Sequence, residues 1–119
     1  MVVEIDFSNI EATCKKLLKT TEKYSEVATL VASAKAQYEY VDEQTKSVLA
    51  RAFLAADART VGEKERLALD SQEYLGHLEL AGQKRLEYLE LKAKHDTIRC
   101  YYEAFKAILS AQQSLIKIQ

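Results

Sequence analysis

Two histidines, two cysteines and scattered carboxylates are the side chains of this 119-residue chain that could do covalent or metal chemistry. His77 and His95 are eighteen residues apart. On one helix that is about 27 Å along the axis, too far to share a metal ion. No HExxH or Glu-x-x-His pair occurs, no glycine-rich phosphate loop and no nucleophile elbow. His95-Asp96 has the composition of an acid–base pair, but neighbours on a helix point in different directions. Carboxylates are interspersed with lysines, as in Glu22, Lys23, Glu26 and Glu87, Glu90, Lys94, the pattern of a solvated face with modest ion pairs. Cys14 and Cys100 are too few and too separate for a zinc site or a disulfide framework. These residues assign no catalytic group, no metal ligand and no cofactor, and the chain is expected not to be an enzyme.

The basic residues are better organised. Lys15, Lys19 and Lys23 follow one another at i, i+4, with Lys16 beside them, and Lys84, Arg85, Lys92 and Lys94 lie further on. The middle of the chain gathers Lys46, Arg51, Arg59, Lys64 and Arg66, with Tyr38, Tyr40 and Phe53 close enough in sequence to offer stacking. Cations with aromatics are the equipment of a single-strand binding groove. These five are the candidate nucleic-acid contacts. Bulk charge does not help: 17 Lys+Arg meet 18 Asp+Glu, for a net charge of −1, so any nucleic-acid binding must come from a local patch or from patches summed by oligomerisation.

The elements that must position these residues are helices. Proline is absent and there are three glycines, so turns are few, and Ala, Leu, Glu, Lys and Gln dominate. Ser8-Asn9-Ile10-Glu11 reads as a capping box, with residues 1–8 as a short leader. From there a seven-residue rhythm runs through Ile10, Leu17, Tyr24, Val31, Tyr38, Thr45, Ala52 and through Thr13, Thr20, Val27, Ala34, Val41, Val48, Ala55. Eleven of these fourteen positions are apolar, and the three threonines can bond back to their own helix. This predicts a helix over about 9–57; the alternative is a break near Thr20-Thr21 or Ser25 that folds the chain into a compact bundle. Thr60-Val61-Gly62-Glu63 is a second capping box and predicts a linker helix over about 61–69. Asp70 or Ser71 caps a last helix over about 71–116.

Two apolar stripes mark that last helix. The better one is Leu75, Leu78, Gly82, Leu86, Leu89, Ala93, Thr97, Cys100, Ala104, Ile108, Ala111, Leu115, and it is expected to be the inner seam, with Cys100 a small core residue. Beside it lie Tyr74, Ala81, Tyr88, His95, Tyr102, Leu109 and Ile116, with Ile98 and Phe105 close by. A plain hairpin needs one buried stripe per helix, so Tyr74, Tyr88, Tyr102, Phe105 and Leu109 are expected to face another copy or a partner protein. If the chain turns near residue 64, residues facing each other sum to about 128, which sets Cys14 against the region of Ser114 and keeps the cysteines apart. The fold class read from the sequence is therefore all-α: a long antiparallel helical hairpin with a short linker helix, coiled-coil-like, one domain over 1–119, and oligomeric. The N-terminus has no basic start before an apolar core, and no apolar run approaches the length of a membrane span. The expected location is the cytoplasm, with no membrane partner.

The segments "AKAQYEYVDEQTKSVLARAFLAADARTVGEKERLALDSQEYLGHLELAG" and "YYEAFKAILSAQQSLIK", within residues 34–117, resemble the small helical phage proteins of the recombination-mediator (UvsY-like) type. The resemblance implies an all-helical protein that assembles into rings in the host cytoplasm, binds single-stranded DNA and helps load a recombinase. "TKSVLARAF" corresponds best to the DNA-contacting segment, so Lys46 and Arg51 inherit that role as candidates; the sequence departs from the pattern there in having fewer cations, with Ala50 and Ala52 flanking Arg51. Two other classes compete. One is a protein-binding module, such as a phage inhibitor that lays a helical face on a host complex. The other is a structural coiled-coil assembly protein.

Overall fold

The computed structural model describes the backbone of residues 7–118 and the side chains of residues 9–117. The order of elements is α1 (Phe7–Glu43), α2 (Thr45–Ala55), α3 (Val61–Leu69) and α4 (Gln72–Ile118). The fold is the expected all-α helical hairpin, with α1 and α2 as one arm, α4 as the other and α3 in the connection. The chain forms two compact units, Met1–Leu30 with Lys92–Gln119, and Val31–Leu91.

The heptad of the first arm is the buried face. Of its fourteen positions only Ala55 is exposed, and Thr13, Val27, Ala34, Val48 and Ala52 are buried. The threonines behave as their chemistry dictates. Thr13 Oγ1 donates to the Asn9 carbonyl at 2.8 Å and Thr20 Oγ1 to the Lys16 carbonyl at 2.7 Å, so a buried hydroxyl leaves no unpaired donor.

The long first helix expected over about 9–57 is present as a bent arm, α1 followed directly by α2 and ending at Ala55. It stays intact through Thr20, Thr21 and Ser25 and bends at Gln44, where φ is −83° and ψ −7°. Gln44 N–H donates to the Val41 carbonyl three residues back at 3.2 Å, a tightened turn of 3₁₀ type. Two local causes coincide. Asp42 and Glu43 put carboxylates at a helix C-terminus, where the dipole disfavours them. The Thr45 hydroxyl does not bond back along the helix; it meets His77 Nε2 of α4 at 3.1 Å. Because the tight turn keeps helical handedness, Val41, Thr45, Val48 and Ala52 stay on one face across it.

Both expected later starts are present. Thr60 Oγ1 accepts from Glu63 N–H at 3.2 Å and caps α3. Ser71, not Asp70, caps α4: its hydroxyl donates to the Ala68 carbonyl at 2.7 Å and accepts from Tyr74 N–H at 3.2 Å. One residue thus ties the two helices together: the Ala68 carbonyl accepts from both the Ser71 hydroxyl and, at 3.2 Å, the Ser71 N–H, and the hydroxyl satisfies an orphan amide of α4. At the N-terminus the backbone is already helical at Phe7 and Ser8, so the leader expected over 1–8 is shorter at its inner end. Residues 1–6 and the Ser8 side chain of the expected cap lie outside the described residues.

On α4 the expected stripes exchange roles. The inner face is Tyr74, His77, Ala81, Lys84, Tyr88, Leu91, His95, Ile98, Tyr102, Phe105, Leu109, Gln112 and Ile116, all buried or half-buried. Its steps alternate three and four, the same period as the first arm, and that match decides which stripe goes inside. The other stripe, with its longer period, drifts off a heptad seam and stays out: Leu75, Leu78, Leu86, Leu89, Ile108 and Leu115 are 41–57% exposed.

Candidate functional site

The inner face of each unit is built of aromatic stacks. In the Val31–Leu91 unit, Tyr38 lies parallel to Tyr88 with ring centres 6.1 Å apart. In the other unit, Tyr24 meets Tyr102 at 6.0 Å and His95 at 4.5 Å. The residue numbers of both tyrosine pairs sum to 126, close to the expected 128. Tyr88 and Tyr102 therefore face the chain's own first arm instead of a partner, and Tyr74, Phe105 and Leu109 lie half-buried on the same face of α4. Tyr38 is likewise engaged and does not serve the cationic corner as a stacking platform, whereas Tyr40 is 63% exposed.

The histidines are structural in the same sense. His77 is bonded to Thr45 and His95 is stacked on Tyr24. His95 Nδ1 lies 3.7 Å from Asp96 Oδ1, outside hydrogen-bond length, and Asp96 also faces Arg99 at 3.8 Å. Both cysteines are free and exposed, so Cys100 is not in the core; it sits on the outer stripe of α4. Among the described residues no group of three His, Cys, Asp or Glu side chains could hold a metal ion, and no helix is long and apolar enough to cross a membrane.

All five corner cations lie in the Val31–Leu91 unit, but they do not form one basic surface. Lys46 borders an apolar groove of about 580 Å³ between α2 and α3, with Leu49, Phe53 and Leu54 on one wall and Glu65, Ala68 and Leu69 on the other. Arg51 reaches across to Glu73 of α4 at 3.4 Å. Lys64 Nζ stands 5.9 Å above the Phe53 ring centre, a cation–π distance. Arg59, in the segment between α2 and α3, and Arg66, in the last turn of α3, are exposed. Lys46, Arg59 and Arg66 thus form no ion pair with any described residue. Between residues 42 and 73 the five cations share the corner with seven carboxylates.

A groove that the sequence reading missed lies in the other unit. It measures about 650 Å³ and is lined by Lys19, Thr20 and Lys23 of α1 and by Lys94, Thr97, Ile98, Tyr101 and Phe105 of α4. A signal for it was present: the i, i+4 lysines of α1 fall opposite Tyr101 and Phe105 once the pairing sum is applied.

Comparison with protein families, with curated proteins and with solved structures finds no match to this chain.

Proposed function

We propose that this chain is a non-catalytic accessory protein of single-stranded DNA transactions, of the recombination-mediator kind, working as an assembly of several copies in the cytoplasm of a phage-infected cell. The observation that carries this reading is the bare apolar face of α4 within each unit, Leu75, Leu78, Leu86 and Leu89 in Val31–Leu91 and, separately, Ile108 and Leu115 in the other, each 41–57% exposed. Leucines repeated along a helix favour covering by another apolar surface over standing in water. A second copy supplies such a surface, and assembly multiplies cations that are weak singly. Lys46, Arg59 and Arg66 are available for phosphates as they stand, and Arg51 and Lys64 after exchanging Glu73 and Phe53 for a phosphate.

The test is a titration of labelled single-stranded oligonucleotide at low and at moderate salt, with the mass of the protein recorded by light scattering. Salt-sensitive binding by an oligomer supports the reading; no binding at low salt overturns it.

The same exposed face favours a second reading, a helical module that binds another protein, such as an inhibitor of a host complex or a structural coiled-coil component. Under it, the surplus of carboxylates around the corner cations reflects a surface that never meets DNA. Light scattering then gives the mass of a single chain, 13.5 kDa, or an oligomer with no affinity for oligonucleotide.

A further inference from the structure

We propose that the groove of the Met1–Leu30 and Lys92–Gln119 unit is the principal single-strand site, with backbone phosphates on Lys19, Lys23 and Lys94 and a base stacked on Tyr101. The proposal rests on the single-stranded DNA reading and moves its centre away from the corner.

Three features distinguish this groove. Its lining contains three lysines and no carboxylate, whereas the groove at the corner has one lysine and one glutamate. None of the three lysines forms an ion pair with a described residue, although Glu22, Glu26 and Glu90 lie one helical turn from Lys19, Lys23 and Lys94. The unit as a whole leans the same way. It holds nine Lys and Arg against seven Asp and Glu, while Val31–Leu91 holds eight against eleven. An approaching polyanion is steered toward the first and away from the second.

The aromatic part completes the match. Tyr24, Tyr38, Tyr88 and Tyr102 spend their ring faces on one another in the inner seam. Tyr101 does not: it is 59% exposed on the groove wall, beside half-buried Phe105 and buried Ile98. Lys19 and Lys23 are one turn apart on α1, so their ammonium groups stand on the same face. A flexible strand can lay successive phosphates along that row while a base lies on the ring across the groove. Stacking of this kind is tolerant of sequence, so binding to the groove is expected to differ little among base compositions.

The experiment is fluorescence anisotropy of a labelled oligothymidine against the full chain over a range of salt. The variants are Lys19→Gln with Lys23→Gln, Tyr101→Ala, Tyr101→Phe, and Lys46→Gln with Arg51→Gln at the corner, each checked for helicity by circular dichroism. The lysine pair is expected to lower the salt slope by about 1.4, the share of two phosphates on a single strand. Tyr101→Ala is expected to weaken binding about tenfold or more, Tyr101→Phe is expected to bind like the wild type, and the corner pair is expected to weaken binding less than the lysine pair of the groove does. If the corner pair abolishes binding and the groove variants do not, the strand lies at the corner and the groove assignment falls while the DNA reading stands. If the lysine pair matters but Tyr101→Ala does not, the groove holds anions without a base, and the single-strand assignment falls. Absence of wild-type binding at low salt overturns the DNA reading and the groove together.

Discussion

Tyr88 shows how much one side chain does in a structure with so few fully buried residues. Its ring lies flat on Tyr38, and the fully buried apolar residues around the seam are mostly alanine and valine. Tyr88→Ala is expected to cost about 2 kcal/mol, read as a shift in the urea midpoint, since it removes both half-buried area and a stacked pair. A smaller, cleaner effect belongs to Thr60, whose hydroxyl caps α3: Thr60→Ala is expected to cost about 1 kcal/mol, with the loss of helicity confined to residues 61–69. Cys14 and Cys100 are both exposed, so two thiols per chain should react with a water-soluble thiol reagent without denaturant. A burst of one thiol, with the second appearing only on unfolding, would show that one of them is covered in solution. The capping residues and the back-bonding threonines were legible in the sequence because their chemistry is local. The exposure of Cys100 was not, because it depends on which of two stripes turns inward.

That choice is made at the scale of the element. Both stripes of α4 are apolar, and the leucine-rich one looks like the stronger core by hydrophobicity alone. Period decides instead. The first arm repeats every seven residues, and only the tyrosine-bearing stripe keeps the same alternation of threes and fours. Two consequences can be measured. Leu86→Glu with Leu89→Glu, on the outer face, should leave helicity intact and change stability of the dilute chain by no more than about 0.5 kcal/mol. Ile98→Glu, at a position 7% exposed, should destabilise the chain clearly more than the outer pair does, because it buries a carboxylate, even with the lysines of the same groove nearby. The reverse ranking would mean that the leucine stripe is the inner one after all. The bend at Gln44 within the expected long helix was not legible for a related reason. A heptad that runs through Val41, Thr45 and Val48 without a slip contains no sign that the backbone tightens between them.

For the molecule as a whole, the sequence gives a near-zero net charge, which argues against bulk attraction to nucleic acid. Folding redistributes that balance. Residues distant in the chain combine into one unit with a cationic excess and one with an anionic excess, a distinction invisible until the arms are paired. Assembly belongs to this scale too. Light scattering on the wild type should give a multiple of 13.5 kDa, and the Leu86→Glu, Leu89→Glu pair should reduce it toward a single chain. A wild-type mass of one chain at micromolar concentration would leave the outer leucines to a different protein.

The matched heptads of the two arms also make length a property that changes in steps. Seven residues gained or lost in α1 together with seven in α4 would restore every inner position to a neighbour of the same kind, so the arms can grow or shrink without redesign. A single-residue insertion in α4 has no such freedom. It turns everything beyond it by about 100°, carrying the leucines toward the first arm and the tyrosines into water. Chains descended from a common ancestor with this one should therefore differ in length by sevens, in both arms at once, and tolerate odd insertions in the connection between α2 and α3, outside the helices that pack on one another.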